Sequence, residues 1–127
     1  MTESTNQGAG PLSGLRVIEF SLLGPAAVGL HLADLGAQVI KVESPQGDYV
    51  RQMTWPIIND SSLLHWHINR GKKSVALDLK DPADRDFARS LVLGSDVLVE
   101  NNRPGVMQRL GLGWDWFGPR KPSLVYC

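Results

Sequence analysis

The chain has 127 residues, enough for one domain whose folding removes roughly two-thirds of the surface that the unfolded form exposes. Hydrophobic residues make up 43%, and 13 acidic residues offset 13 Lys plus Arg. Charge therefore gives no general case for binding nucleic acid, and an anion site has to come from local clustering. The single cysteine, Cys127, excludes an internal disulfide framework, so a reducing cytoplasm is the expected compartment; no apolar run approaches a membrane span.

Residues 1–10 lack the basic start and apolar stretch of a signal peptide and are expected to be a disordered tail. The domain is expected over 11–127. Leu15-Arg16-Val17-Ile18-Glu19-Phe20 is short, apolar and β-branched in its middle, which predicts a first strand. Pro25 suits the first position of a helix running to near Leu35, with Gly36 as its stop. Residues 38–43 follow as a second strand. Strand, turn, helix, glycine and strand make a βαβ unit, in which the two strands run parallel.

A long irregular stretch over 44–60 is of the kind that tends to be functional or mobile. Ser61-Ser62 can cap a short helix through Asn69, carrying Leu63, Leu64, His67 and Ile68 partly on one face. Arg70-Gly71-Lys72-Lys73 forms a basic turn before a third strand at 74–79. Asp81-Pro82 starts a helix that turns Phe87, Leu91 and Val92 inward and stops at Gly94. Residues 96–100 make a fourth strand, and 123–126 a fifth. The expected fold is thus a Rossmann-like open α/β domain, mostly parallel, with flanking helices and no closing helix after the last strand.

Single motifs carry little chemistry here. The Gly24-Pro25 turn is not G-x-G-x-x-G, which argues against a nicotinamide dinucleotide site, although helix-start N–H groups can still receive a phosphate or carbonyl oxygen. Arg70, Lys72 and Lys73 fit either a phosphate site or a solvated turn. His65 and His67 point apart on a helix, His31 stands alone, and no Cys or His cluster completes a metal site. There is no G-x-S-x-G elbow, and Cys127, the last residue, lacks a shell that would activate it as a nucleophile. Asp34, Asp86 and Asp115 are explained by helix surfaces or caps. The aromatic run Trp114-Asp115-Trp116-Phe117 suits core packing better than base stacking. Residues 96–113 are different in kind: a buried strand ends in Glu100-Asn101-Asn102-Arg103, then Pro104-Gly105 opens a short helix. A parallel strand's carboxyl end is where an open α/β sheet places its ligand.

Taken together, residues 11–20, 32–43, 69–80 and 96–113 resemble, in order, the N-terminal region of the class III coenzyme A transferases. This CaiB/BaiF family includes formyl-CoA transferase and α-methylacyl-CoA racemase. The resemblance implies a domain that binds coenzyme A or an acyl-CoA as substrate, without a metal, in an enzyme that moves coenzyme A between carboxylic acids. It also implies interlocked homodimers. The coenzyme contacts it implies are Lys72, Lys73, Leu77, Asn101 and Arg109, with Arg103 added on charge; Lys80, outside the signature helix, is expected to matter less than Arg109. Guanidinium and ammonium groups suit phosphates, and an apolar strand edge suits adenine.

The turn at 21–25 is shorter than the family's, and Ser44 stands where some members have an arginine. No catalytic residue is expected within the chain. The aspartate of the transferases and the His and Asp pair of the racemases would both fall beyond Cys127, which makes a truncated, inactive N-terminal portion the expectation. An acyl-CoA racemase origin, a non-catalytic coenzyme-binding remnant, or assembly with a separate C-terminal chain stay open from sequence.

Overall fold

Val17, Ile18 and Glu19 are all without exposed surface, which requires a strand covered on both faces. In the computed structural model, which describes residues 10–127, they form the middle strand of a parallel sheet. The tail expected at 1–10 falls, except for Gly10, outside the described residues. In chain order come β1 (Arg16–Glu19), α1 (Ala26–Asp34), β2 (Gln38–Glu43), a 3-10 turn (Tyr49–Gln52), β3 (Ile57–Ile58), β4 (Ser61–Ser62) and α2 (Leu63–Asn69). They are followed by β5 (Lys73–Ala76), α3 (Pro82–Leu93), β6 (Val97–Val99), α4 (Val106–Arg109), α5 (Trp114–Phe117) and β7 (Val125–Tyr126). Five strands pair in parallel in the order β5-β2-β1-β6-β7, while β3 and β4 form a separate antiparallel hairpin. The α/β sheet expected from the sequence is the fold observed.

Side chains alternate between the two faces of a strand, and the two cores follow from that. Ile18, Phe20, Val42 and Leu98 pack on one face with Ala88 and Val92 of α3 and Met107 of α4. Val17, Val39 and Val99 pack on the other with Leu32 and Ala33 of α1. Asp81 accepts from the N–H groups of Ala83 and Asp84, so the cap and the proline at the helix start set α3 as expected.

Several details differ from expectation. The inward stripe of α3 is Ala88 and Val92, with Leu91 half-buried; Phe87, about 100° round the helix from Ala88, is half-exposed. In α2 the buried residues are His65 and Ile68, and His67 is exposed. The third strand ends at Ala76; the Leu77 N–H still donates to the Glu43 carbonyl at 2.9 Å, and Asp78 to Lys80 leave the sheet. The stretch expected to be irregular contains the 3-10 turn and the β3–β4 hairpin. Phe117 is fully buried, which fits the packing role of the aromatic run, while Trp116 lies between the guanidinium groups of Arg89 and Arg120, 4.7 and 4.1 Å from its ring centre. Among the described residues no helix is long and apolar enough to cross a membrane.

One glycine is dictated by close approach. A Cβ at Gly29, in the buried face of α1, would fall on the carboxylate of Glu19, which has no exposed surface. Gly29→Ala is expected to destabilise the chain by about 3 kcal/mol, the lower end for disrupting a buried ion pair, against at most about 1 kcal/mol gained in helix propensity. Urea unfolding measures it; unchanged stability would show that Glu19 can shift without losing its partners.

Candidate functional site

The carboxyl ends of the strands open onto a groove of about 790 Å³. Its floor is apolar, formed by Phe20 after β1, Val42 of β2, and Leu77 after β5. One wall is the loop from Ser44 to Tyr49. The opposite wall is Asn102 with Val106, Met107, Arg109 and Leu110. Asp78, Leu79 and Lys80 close the end beside β5. The position follows from topology: strand order reverses between β1 and β6, and loops leaving neighbouring strands toward opposite faces create a crevice there.

Two polar clusters hold these walls. Glu43, at the end of β2, accepts from Arg51 Nε at 3.0 Å and Arg51 Nη2 at 2.8 Å, from the Asp48 N–H at 2.8 Å and from the Ser74 hydroxyl at 2.8 Å. Burial alone pushes this carboxyl up, but those donors outweigh it and hold the pKa down at about 2. Deeper, Lys41 Nζ lies 3.3 Å from Glu19, 3.1 Å from Asp48 and 2.6 Å from the Ser21 carbonyl. Lys72 Nζ donates to Glu19 at 2.9 Å, to the Ala26 carbonyl at 2.7 Å and to Asn69 at 3.0 Å. Burial draws the Lys72 ammonium below its ordinary pKa, against the pull of Glu19. It also keeps His65 below its ordinary value, with the Arg51 charge adding to the effect.

The sequence model of CoA-transferase family III matches residues 12–127. The chain belongs to that family. It is 44% identical over its whole length to an acetyl-CoA:oxalate CoA-transferase of Acetobacter aceti, spanning 33% of that protein. It is 40% identical over 92% of its length to a succinyl-CoA:glutarate CoA-transferase of Mus musculus, spanning 27% of it. Among solved structures, a CAIB/BAIF family protein of Brucella suis superposes with a TM-score of 0.85 at 38% identity, over 93% of this chain and 32% of the other. A Mycobacterium tuberculosis protein does so with a TM-score of 0.81 at 43% identity, over 93% and 34%. The chain thus spans about a third of the length of these relatives.

The residues expected as coenzyme contacts in this family III domain meet different fates. Leu77 and Arg109 both line the groove, and Lys80 lines it as well, so the groove gives no ground for ranking Arg109 above Lys80. Lys80 had a signal in the sequence, since it follows a strand at the same edge of the sheet as Asn101. Asn101 does not line the groove, and both its amide atoms are engaged: Oδ1 accepts from the Leu22 N–H at 2.9 Å and Nδ2 donates to the Leu22 carbonyl at 3.1 Å. It pins the turn after β1 to the turn after β6. Arg103 is exposed beside it. Lys73 begins β5, four residues and about 13 Å of strand from Leu77, so it lies at the sheet's other edge. Lys72 does not face the groove: its side chain is 2% exposed and its three donors are taken. Neither the phosphate site nor the solvated turn describes Lys72, because the glycine before it, at φ +76°, turns it inward.

Because the Glu43 pKa falls from 4.5 to about 2 on folding, its stabilisation is present above pH 4.5 and is lost as pH falls toward 2. The shift corresponds to on the order of 3 kcal/mol. Glu43→Gln is expected to flatten the acid limb of stability between those pH values, followed by urea unfolding across pH. An acid limb identical to the parent's would contradict the role given to Glu43.

Proposed function

We propose that this chain is the coenzyme-A-binding part of an enzyme that transfers coenzyme A between carboxylic acids. The single observation carrying this reading is the groove: an apolar floor at the sheet's carboxyl edge, flanked by Lys80 and Arg109, neither of which is ion-paired with any described residue. The floor accepts the adenine ring, and the two cations reach the phosphates, with the exposed Asn101 and Arg103 flanking Asn102 of the wall. Lys72 acts from below by fixing Glu19, and Lys73 stays outside the contact set. The names of the relatives, each pairing an acyl-CoA with an acceptor acid, favour transfer over racemisation.

The two buried carboxylates along the groove are both engaged by neighbouring groups. Glu43 is held by four donors, and Asp48 is buried against Lys41. Asp78 takes the N–H of Lys80 at 3.0 Å. In the complete enzyme a carboxylate outside this chain attacks the thioester carbonyl, forming an acyl anhydride and releasing the coenzyme A thiolate. This part holds the coenzyme while that happens.

Titration calorimetry with coenzyme A tests the assignment. Arg109→Ala and Lys80→Ala are each expected to weaken binding about tenfold or more, the range for losing a charged hydrogen bond. Arg120→Ala, on the far side against Trp116, should leave it unchanged. Equal affinity in all three variants, or no binding by the folded parent, would overturn the reading.

A further inference from the structure

The segment 49–69 has two apolar sides and covers only one of them. Its inner side packs on the domain: Val50 and Ile68 are buried with Ala26, and Ser62 donates to the Val50 carbonyl at 2.6 Å. Its outer side carries Tyr49, Met53, Trp55, Ile58, Leu63 and Trp66, each about half-exposed or more, with Trp55 at 85%. These are six of the twelve exposed large hydrophobic side chains among the described residues, gathered into 18 positions. The segment is tied into one body, since Trp66 Nε1 donates to the Ile58 carbonyl at 3.3 Å and the Leu63 N–H to that of Pro56 at 3.2 Å. Helix α2 shows the same doubling: His65 and Ile68 face inward, and Leu63 and Trp66, also three apart, face outward.

Single exposed hydrophobics need no explanation, but a concentration of them marks an interaction surface. From Tyr49 to Asn69 the only fully charged side chains are Arg51 and Asp60, and Arg51 is spent on Glu43. Loss of charge with enrichment in tryptophan and methionine is the composition of an interface core.

We propose that this face seats the polypeptide that completes the fold in the relatives, the two-thirds of their length that has no counterpart in this chain. The length comparison singles out that occupant. Relatives align over nearly all of this chain yet are about three times as long, so each carries a large further stretch of polypeptide that can pack against this domain. Both faces of the sheet are already covered, by α1 on one side and by α3 and α4 on the other. Among the described residues, half of the exposed large hydrophobic side chains lie on the segment 49–66. Tyr49 belongs both to it and to the groove wall, so polypeptide seated there arrives at the groove's rim. This inference rests on family membership and on exposure, and stands whether or not the groove binds coenzyme A.

The test joins residues 1–127 to the remainder of the M. tuberculosis relative and compares the resulting full-length chimera with the 127-residue chain. Acrylamide quenching of Trp55 is read in each as the difference between the parent and Trp55→Phe. Trp55 should be freely quenched in the short chain, sedimenting as a monomer, and several-fold less quenched in the folded chimera. Equal quenching in both would overturn the proposal. So would a short chain that sediments as a dimer with Trp55 already shielded, which would make a second copy the occupant. If the chimera does not fold, hydrogen exchange on the full-length M. tuberculosis relative decides: protection over the segment aligned with 53–66 supports the proposal, and exchange as fast as in an exposed loop overturns it.

Discussion

The arrangement depends on one buried charge. Glu19 has no exposed surface, and adjacent parallel strands place it directly beside Lys41, a contact fixed by strand register. A carboxylate in such a place is tolerated only when it is paired, and Lys41 and Lys72 both reach it. The consequences run outward. Lys41 also holds Asp48 and the Ser21 carbonyl, and Lys72 holds the start of α1 through Ala26 and the end of α2 through Asn69. One carboxylate therefore joins two strands, two helices and the loop that walls the groove. A buried pair of this kind adds little net stability over an apolar pair of the same shape; what it supplies here is position, since a misplaced wall would strand a charge in the core.

Elements with a strong local signal were legible from the sequence. The apolar runs of β1, β2 and β6 and the Asp81-Pro82 start of α3 need no tertiary information. The two-residue strands β3 and β4 and the four-residue α5 are too short to show a period, so they could not be read. The site was legible in part. Leu77, Asn101 and Arg109 came from the family resemblance, and of these Leu77 and Arg109 line the groove; strand-end logic applied after β5 points to Lys80 as well. Three cations in one turn, Arg70, Lys72 and Lys73, look alike in sequence and end as a half-exposed partner of Asp34, a buried partner of Glu19 and an exposed side chain at the sheet's far edge. Those outcomes depend on Asp34 and Glu19, 36 and 53 residues away, and no local pattern carries that information.

The domain divides its chemistry by region. Ionic groups lie under the groove, where they fix geometry, and unpaired cations stand on it, where an anionic ligand would meet them. The apolar excess is displaced to the 49–66 face. This separation suits the binding role proposed for the domain. It also accounts for the deep carboxylates, each already engaged by neighbours within the domain.

The seat proposed for coenzyme A is the groove at the sheet's carboxyl edge. Titrating coenzyme A into the 15N-labelled chain and following backbone amide shifts tests it most directly. The account expects the perturbed amides to gather at 44–49, 77–80 and 102–110, the two walls and the closed end. Shifts confined to the smaller cleft lined by 13–16, Gly36 and Gln38, or spread over the apolar face at 53–66, would contradict it.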